Sequence, residues 1–371
     1  MTNELRLNNP WFVAVWPGMG HVAVSAGFYL ISKLEMHLHA EVRAEGLFDV
    51  ERVEVVDGII QTAIMPRNRY FIYRDPNGKR DGVVFIGEAQ PSQGKYHFCS
   101  QIAAHAKELG VSEITTFAAM ATSMRPEHDS RVFIAATDAT TLDNFIQLDT
   151  ELLKEGNIGG LNGVLLGAAA DAQLQGACIL GEIPTVFSQF PFPKASLSVL
   201  RVFAQCVGLK LDFKELEEQS SVMGEQLSKW LQRLERSMQQ QAPGVSDDED
   251  VESDGTYSTA TGPEDTGPED TSPDDREIVQ DLGGSDNISH GMSEDDERRI
   301  ESLFDAASSD RSKAYELKRE LDRLHVFTDY EDRFLDLFRR SAPPDQTGDS
   351  AAGHDTIWKK TKDIPPLDSA A

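Results

Sequence analysis

Trp11-Phe12-Val13-Ala14-Val15-Trp16, followed at once by Pro17-Gly18-Met19-Gly20, is the stretch on which the reading of the fold turns. Unbroken apolar residues of strand-forming type, stopped by Pro and Gly, describe a strand buried on both faces. Such a strand needs a layer of structure above it and another below. Helical spacing begins directly after the glycines, at Val22, Ala26, Tyr29, Leu30, Leu34 and Leu38, and predicts a helix over that run.

Outward from this unit the same alternation continues. Residues 49–56 and 59–64 read as strands around the turn dipeptide Asp57-Gly58. Residues 70–73 and 83–86 bracket Asp75-Pro76-Asn77-Gly78, turn chemistry suited to a tight hairpin, so this pair is antiparallel and the sheet is mixed. After Ile86 a loop over 87–94 leads into a helix whose buried stripe is Phe98, Ile102, Ala106 and Leu109, with Gly110 as its C′ residue. Residues 114–119 form the next strand of a right-handed β-loop-α-β unit. The pattern then predicts a strand over 132–137, a helix over 142–155, a glycine turn over 159–163 opening a new element at Val164, and a strand over 177–180. Helices follow over 196–207 and 213–241.

At Ala242 the composition changes. The chain carries 35 Lys and Arg against 62 Asp and Glu, a net charge of −27, and residues 242–310 alone hold 22 of the acids and 3 of the bases. The near-repeat TGPED-TGPED-TSPDD lies within this segment. Pro, Gly, Thr and like charges bury too little apolar surface to offset the entropy of ordering, so 242–292 is expected to be a disordered acidic linker. Ser293 followed by Glu294-Asp295-Asp296-Glu297 reads as an N-cap with acids in the first turn. Ile300, Leu303, Phe304, Ala307, Leu317, Leu321 and Phe334 continue at helical spacing, which predicts a two- or three-helix appendage over 293–340. The remaining 341–371 reads as a disordered tail, leaving 1–241 as the α/β domain.

This charge distribution offers no sustained basic surface to nucleic acid. The most apolar stretch, around Val164 to Ala170, is far short of the ~20 residues that cross a bilayer, and the first residues carry no secretory pattern. Cys99, Cys178 and Cys206 are widely spaced, odd in number and set among apolar residues, which fits neither a disulfide framework nor a zinc cluster. A soluble protein of the reducing cytoplasm is expected, without membrane or metal.

Chemistry has few footholds. Gly18-Met19-Gly20-His21-Val22-Ala23 fits G-x-G-x-x-A between a strand and a helix, where backbone amides cradle phosphate, although glycines there also serve packing alone. The acidic ribose partner would be Glu41 or Glu45, neither clearly at the end of a second strand. His21 is the best single catalytic candidate, or else a polar residue at the helix start. His37 and His39 would splay apart on a helix, and His97 and His105 stand too far apart for a shared metal. Asp138 reads as an N-cap, and Asp171 and Glu182 as solvated loop acids. No G-x-S-x-G, H-E-x-x-H, Walker or C-x-x-C pattern occurs. Gly18, Gly20, His21, Glu88, Lys95 and Arg125 are the candidate ligand-binding set on the sheet-end loops, with no catalytic residue, metal ligand or cofactor assigned.

Taken in order, these parts resemble the proteasome assembly chaperone family over residues 10–240. The resemblance rests on the opening strand with Gly18-Met19-Gly20; on Gly87-Glu88-Ala89-Gln90-Pro91 with Tyr96, Phe98, Ile102, Ala106, Leu109-Gly110-Val111 and Ile114; and on Met124-Arg125-Pro126. It continues through Gly160, Gly163-Val164-Leu165-Leu166, Gly176, Leu180, Glu182 and Pro184, and closes on Gly208-Leu209 with Leu211-Asp212 and Leu216. It implies a three-layer α/β/α fold with a mixed sheet, similar to purine nucleoside phosphorylases. It also implies a homo-oligomer, often a trimer, and a protein partner such as proteasome-like subunits. Some relatives dock a C-terminal hydrophobic-Tyr-any tail, which Asp368-Ser369-Ala370-Ala371 does not reproduce. Two functions follow as expectations. The first is a non-enzymatic assembly scaffold whose acidic arm tethers a helical hook. The alternative is a small-molecule enzyme of phosphorylase or hydrolase type that uses the loops at 18–21, 88–94 and 121–125.

Overall fold

The computed structural model describes residues 6–42, 46–48, 53, 55–56, 58–60, 65–241, 293–324 and 326–339. The linker at 242–292, the tail from 341 onward and much of the strand pair expected over 49–64 lie outside the described residues.

In chain order the α/β body runs β1 (Trp11–Val15), α1 (Val22–Lys33), β2 (His37–Val42), a short hairpin of β3 (Val55–Val56) and β4 (Ile59–Ile60), β5 (Asn68–Tyr73), β6 (Gly82–Gly87) and α2 (Lys95–Glu108). It continues with β7 (Glu113–Thr122), β8 (Val132–Ala136), α3 (Ala139–Ile146), β9 (Glu151–Leu152), α4 (Gly160–Asp171), β10 (Gln175–Pro184), α5 (Pro193–Val207) and α6 (Lys214–Gln241).

Strand β1 is buried along its whole length, as the run of apolar residues requires. It sits inside an eight-stranded sheet ordered β2-β5-β6-β1-β7-β10-β8-β9. The four central strands are parallel, with Phe12 opposite Val83 of β6 and Ile114 of β7, and Ala177 of β10 opposite Thr115 of β7. The β2–β5–β6 and β10–β8 pairs are antiparallel, so the sheet is mixed. Alternation along β1 divides the core. Phe12, Ala14 and Trp16 pack with Phe85, Phe98, Ile102 and Leu165 beneath α2 and α4. On the other face Trp11 meets Phe203 of α5 edge-on at 5.4 Å, and Val15 lies against Gly27 of α1. Helix α6 packs outside α5. The architecture is therefore three-layer α/β/α.

Three local readings need correction. The apolar spacing that ran on to Leu38 does not continue the first helix: α1 stops at Lys33, Glu35 turns left-handed (φ 47°), and His37 and His39 lie on strand β2. The helix expected over 142–155 is α3, ended at Ile146, followed by the two-residue strand β9. Its N-cap is Asp138, whose carboxylate accepts from the Thr141 amide at 2.9 Å. The element expected from Val164 is helix α4, which already starts at Gly160.

The helical unit is a separate compact body of α7 (Glu294–Ser309), α8 (Ala314–Arg323) and α9 (Phe327–Asp336). The Ser293 hydroxyl accepts from the Asp296 amide at 3.1 Å and caps α7. Ile300, Phe304, Leu317, Leu321, Phe334 and Leu335 are buried between the helices. Arg333 grips Glu301 with two hydrogen bonds of 2.5 and 2.6 Å while its guanidinium lies 3.9 Å from the centre of the Phe304 ring.

Candidate functional site

The carboxyl ends of the parallel strands β6, β1, β7 and β10 open onto one side of the sheet, where ligands collect in open α/β folds. Four loops emerge there: 16–21, 88–94, 123–131 and 185–192. All six sequence-predicted site residues fall on these loops or on the first residue of the helix that follows.

Gly18 is extended (φ −171°), and a Cβ built there meets nothing within 4 Å. Gly20 is required by its backbone: it is left-handed (φ 61°), and a Cβ would press on Ile183 at 3.3 Å. Its amide donates to the Ser188 carbonyl at 2.7 Å, and its own carbonyl accepts from Phe192 at 2.9 Å. The His21 amide donates to the Gly18 carbonyl at 3.0 Å, and the Val22 amide to that of Met19. Three successive amides at the start of α1 are thus bonded to carbonyls of the protein, and an anion would compete with all three. His21 holds the N-cap position of α1 with φ 50°, without a side-chain capping bond.

Glu88 is drawn inward. Its Oε1 accepts from Arg69 Nη1 at 2.5 Å and its Oε2 from the Arg67 amide at 2.8 Å. The Arg69 side chain is 1% exposed and also lies 3.7 Å from Glu41. Lys95 opens α2 and is exposed. Arg125 bridges outward: its Nη1 donates to Glu235 of α6 at 2.7 Å and its Nε to Glu127 at 2.6 Å. Beside it the Lys194 amine donates to the carbonyls of Pro126 (2.6 Å) and His128 (2.8 Å), and burial holds its pKa below the usual lysine value. The loop over 123–131 is pinned to α5 and α6 in this way.

Two residues that tie the loops together lie outside the six sequence-predicted site residues. Gln90 caps α4 by accepting from the Leu161 amide at 3.1 Å, and its Nε2 reaches the Pro17 carbonyl at 3.4 Å. Glu182 is not a solvated loop acid but a 3%-exposed residue of β10. It accepts from Thr122 Oγ1 (2.7 Å), Arg131 Nε (2.8 Å) and Arg131 Nη2 (2.6 Å). Gln90 was visible beforehand only as a loop residue inside 87–91 and Glu182 only as an acid near glycines, because the partners of both lie 50 or more positions away. Asp171 ends α4, where its carboxylate accepts from the Tyr96 hydroxyl.

The loops and helix starts turn outward three large apolar or aromatic side chains, beside the exposed polar residues His21, Gln93, Lys95, Glu127 and Asp129. Met19 is 42% exposed, Val186 63% and Tyr96 51%. Among the described residues no three His, Cys, Asp or Glu side chains gather to hold a metal ion, and no helix is long and apolar enough to cross a membrane.

Against known proteins, the PAC2 family model matches residues 12–231. Among solved structures, PbaB of Pyrococcus furiosus, an archaeal proteasome activator, is 23% identical with a TM-score of 0.51 over 60% of this chain and 93% of its own. A PAC2 family protein from Streptomyces avermitilis is 24% identical with a TM-score of 0.52, covering 59% of this chain and 95% of its own. The proteasome-assembly chaperone homologue of Mycobacterium tuberculosis is 21% identical with a TM-score of 0.52, covering 59% and 94%. At these identities the likeness is one of fold. No curated protein matches the chain.

Proposed function

The chain belongs to the PAC2 family, and from that membership we propose that it acts as a non-enzymatic, chaperone-like scaffold for other protein subunits. The observation that carries this reading is how the carboxyl-end loops use their side chains. Glu88, Arg125 and Glu182 are committed to internal ion pairs, and the amides of Gly20, His21 and Val22 to internal carbonyls. Met19 and Val186 on those loops, and Tyr96 in the first turn of α2, are large apolar or aromatic side chains left exposed beside polar ones. Exposed apolar side chains set on loops that are themselves fastened suit a protein partner better than a reaction. Proteasome-like subunits are the partner class suggested by the names of the fold relatives. The scaffold works in the cytoplasm as a homo-oligomer. In this reading residues 1–241 are its body and 293–340 a helical hook, linked in sequence by the acidic 242–292 segment.

The test is affinity purification of the full-length protein from native lysate, beside the double variant Met19→Asp, Val186→Asp, with sedimentation analysis of both. A stoichiometric protein partner that is lost from the variant, while its melting temperature stays that of the parent, supports the reading. A small molecule released on denaturation, with no protein partner, refutes it.

A further inference from the structure

At the far edge of the sheet the pairing stops short. Strand β9 is two residues long and covers only Phe133 and Ile134 of β8. Leu153 then donates to the Ile134 carbonyl at 2.9 Å, and β8 runs on through Ala135 and Ala136. Hydrogen-bonding groups alternate between the two sides of an antiparallel strand. The Thr137 amide faces β10, where it donates to the Gly176 carbonyl at 2.9 Å, whereas the Ile134 carbonyl faces outward to Leu153. The amide and carbonyl of Ala136 therefore point outward, past the end of β9.

A cleft of about 400 Å³ runs along this open edge. Its floor is Ala135, Ala136 and Thr137, one wall is the loop over 153–158, and the other is the face of α4 carrying Gly163, Gly167 and Ala170. The Ile158 backbone closes on Gly163, where a Cβ would stand 2.1 Å from its carbonyl oxygen, but a Cβ on Gly167 meets nothing within 4 Å. The wall is open there because the helix presents hydrogen and methyl groups. Lys154 and Glu155 bring one charge of each sign to the rim, so charge does not select an occupant.

We propose that this cleft takes an extended peptide segment of a partner protein, about three residues with small side chains, which adds to the outer edge of β8 where β9 stops. The outward amide and carbonyl of Ala136 supply one main-chain hydrogen-bonded pair, and the glycine wall of α4 admits small side chains and excludes large ones. Ala136 pairs with Ala177 near the amino end of β10, the end opposite the loops that carry Met19 and Val186, so the two surfaces are separable.

The test pans a random linear heptapeptide phage library on the full-length protein, then measures synthetic versions of the enriched peptides by fluorescence anisotropy. Gly167→Leu fills the cleft, and leucine is the better helix former, so this variant keeps its fold. The expected result is binding weakened at least about tenfold by Gly167→Leu and unchanged by Met19→Asp, Val186→Asp. Bound peptide also slows hydrogen exchange over 133–137. The proposal falls if no peptide is enriched over the uncoated surface, or if the enriched peptides bind Gly167→Leu as tightly as the parent.

Discussion

Glu182→Gln is the substitution that separates a structural clamp from a solvated loop acid. The parent carboxylate is buried and receives four hydrogen bonds, three of them from Arg131 (its amide, Nε and Nη2), whose side chain is 53% exposed. Glutamine keeps one acceptor oxygen but turns an amide toward the donors of Arg131. A hydrogen bond to a charged group contributes about 1.5–3 kcal/mol, and the exposure of Arg131 lets water recover part of what it loses. The expected cost is about 2 kcal/mol, or about 4–8 °C in melting temperature for a body of this size. Unfolding is followed by tryptophan fluorescence, which Trp11, Trp16 and Trp230 report from the body.

The pH dependence gives the sharper test. Burial pushes the Glu182 carboxyl up, but the hydrogen bonds from Arg131 and Thr122 and the guanidinium charge together hold it below its ordinary 4.5. The folded carboxyl therefore releases its proton at a lower pH than the unfolded one, and its stabilisation is complete above the unfolded value. That stabilisation is lost as pH falls through the folded value. The deficit of Glu182→Gln is accordingly full at neutral pH and shrinks below about pH 4.5. Equal melting temperatures at pH 7, or a deficit that does not shrink in acid, would refute the clamp.

Two further outcomes follow from packing. A Cβ at Gly82 would stand 2.0 Å from Trp11 Cζ2, so Gly82→Ala must displace the indole from Phe203. It is expected to cost about 1–3 kcal/mol by overpacking, read as a lower urea midpoint, and a parental midpoint would deny the close approach. Burial pushes the thiols of Cys99 and Cys178 up to about 12 and that of Cys206 up to about 11. All three should resist an aromatic disulfide reagent at pH 8 in the native protein and react fully in guanidinium. Rapid native labelling of any one would place it at the surface.

Helix ends show where the sequence was legible and where it was not. Helices α1, α2, α4 and α5 all finish in a left-handed residue, after which the next amide bonds back five residues: Met36 to Ile31, Val111 to Ala106, Leu174 to Ala169 and Leu209 to Ala204. At α2 and α5 that residue is glycine, Gly110 and Gly208, and the ends could be read. At α1 and α4 it is Glu35 and Gln173, which announce nothing, so the periodicity of Leu34 and Leu38 carried the expected helix into what is strand β2. Strand β9 is two residues long and leaves no period to detect. For the site, the loops that carry it followed from the alternation of elements, whereas the order of strands in the sheet did not. The fate of each side chain did not, because Arg131 and Glu182, or Arg125 and Glu235, meet only after the chain has folded.

The all-buried central strand has a consequence for synthesis. Phe12 leaves the ribosome early, but its two neighbours in the sheet, Val83 and Ile114, follow about 70 and about 100 residues later. At roughly 5–20 residues per second, the run from Trp11 to Trp16 waits for about 5–20 s before both its edges are covered. Parallel pairing over such separations is also intrinsically slow. For that interval an unbroken apolar hexapeptide of the body is exposed with two open edges, a hazard for the nascent chain that the finished sheet no longer shows.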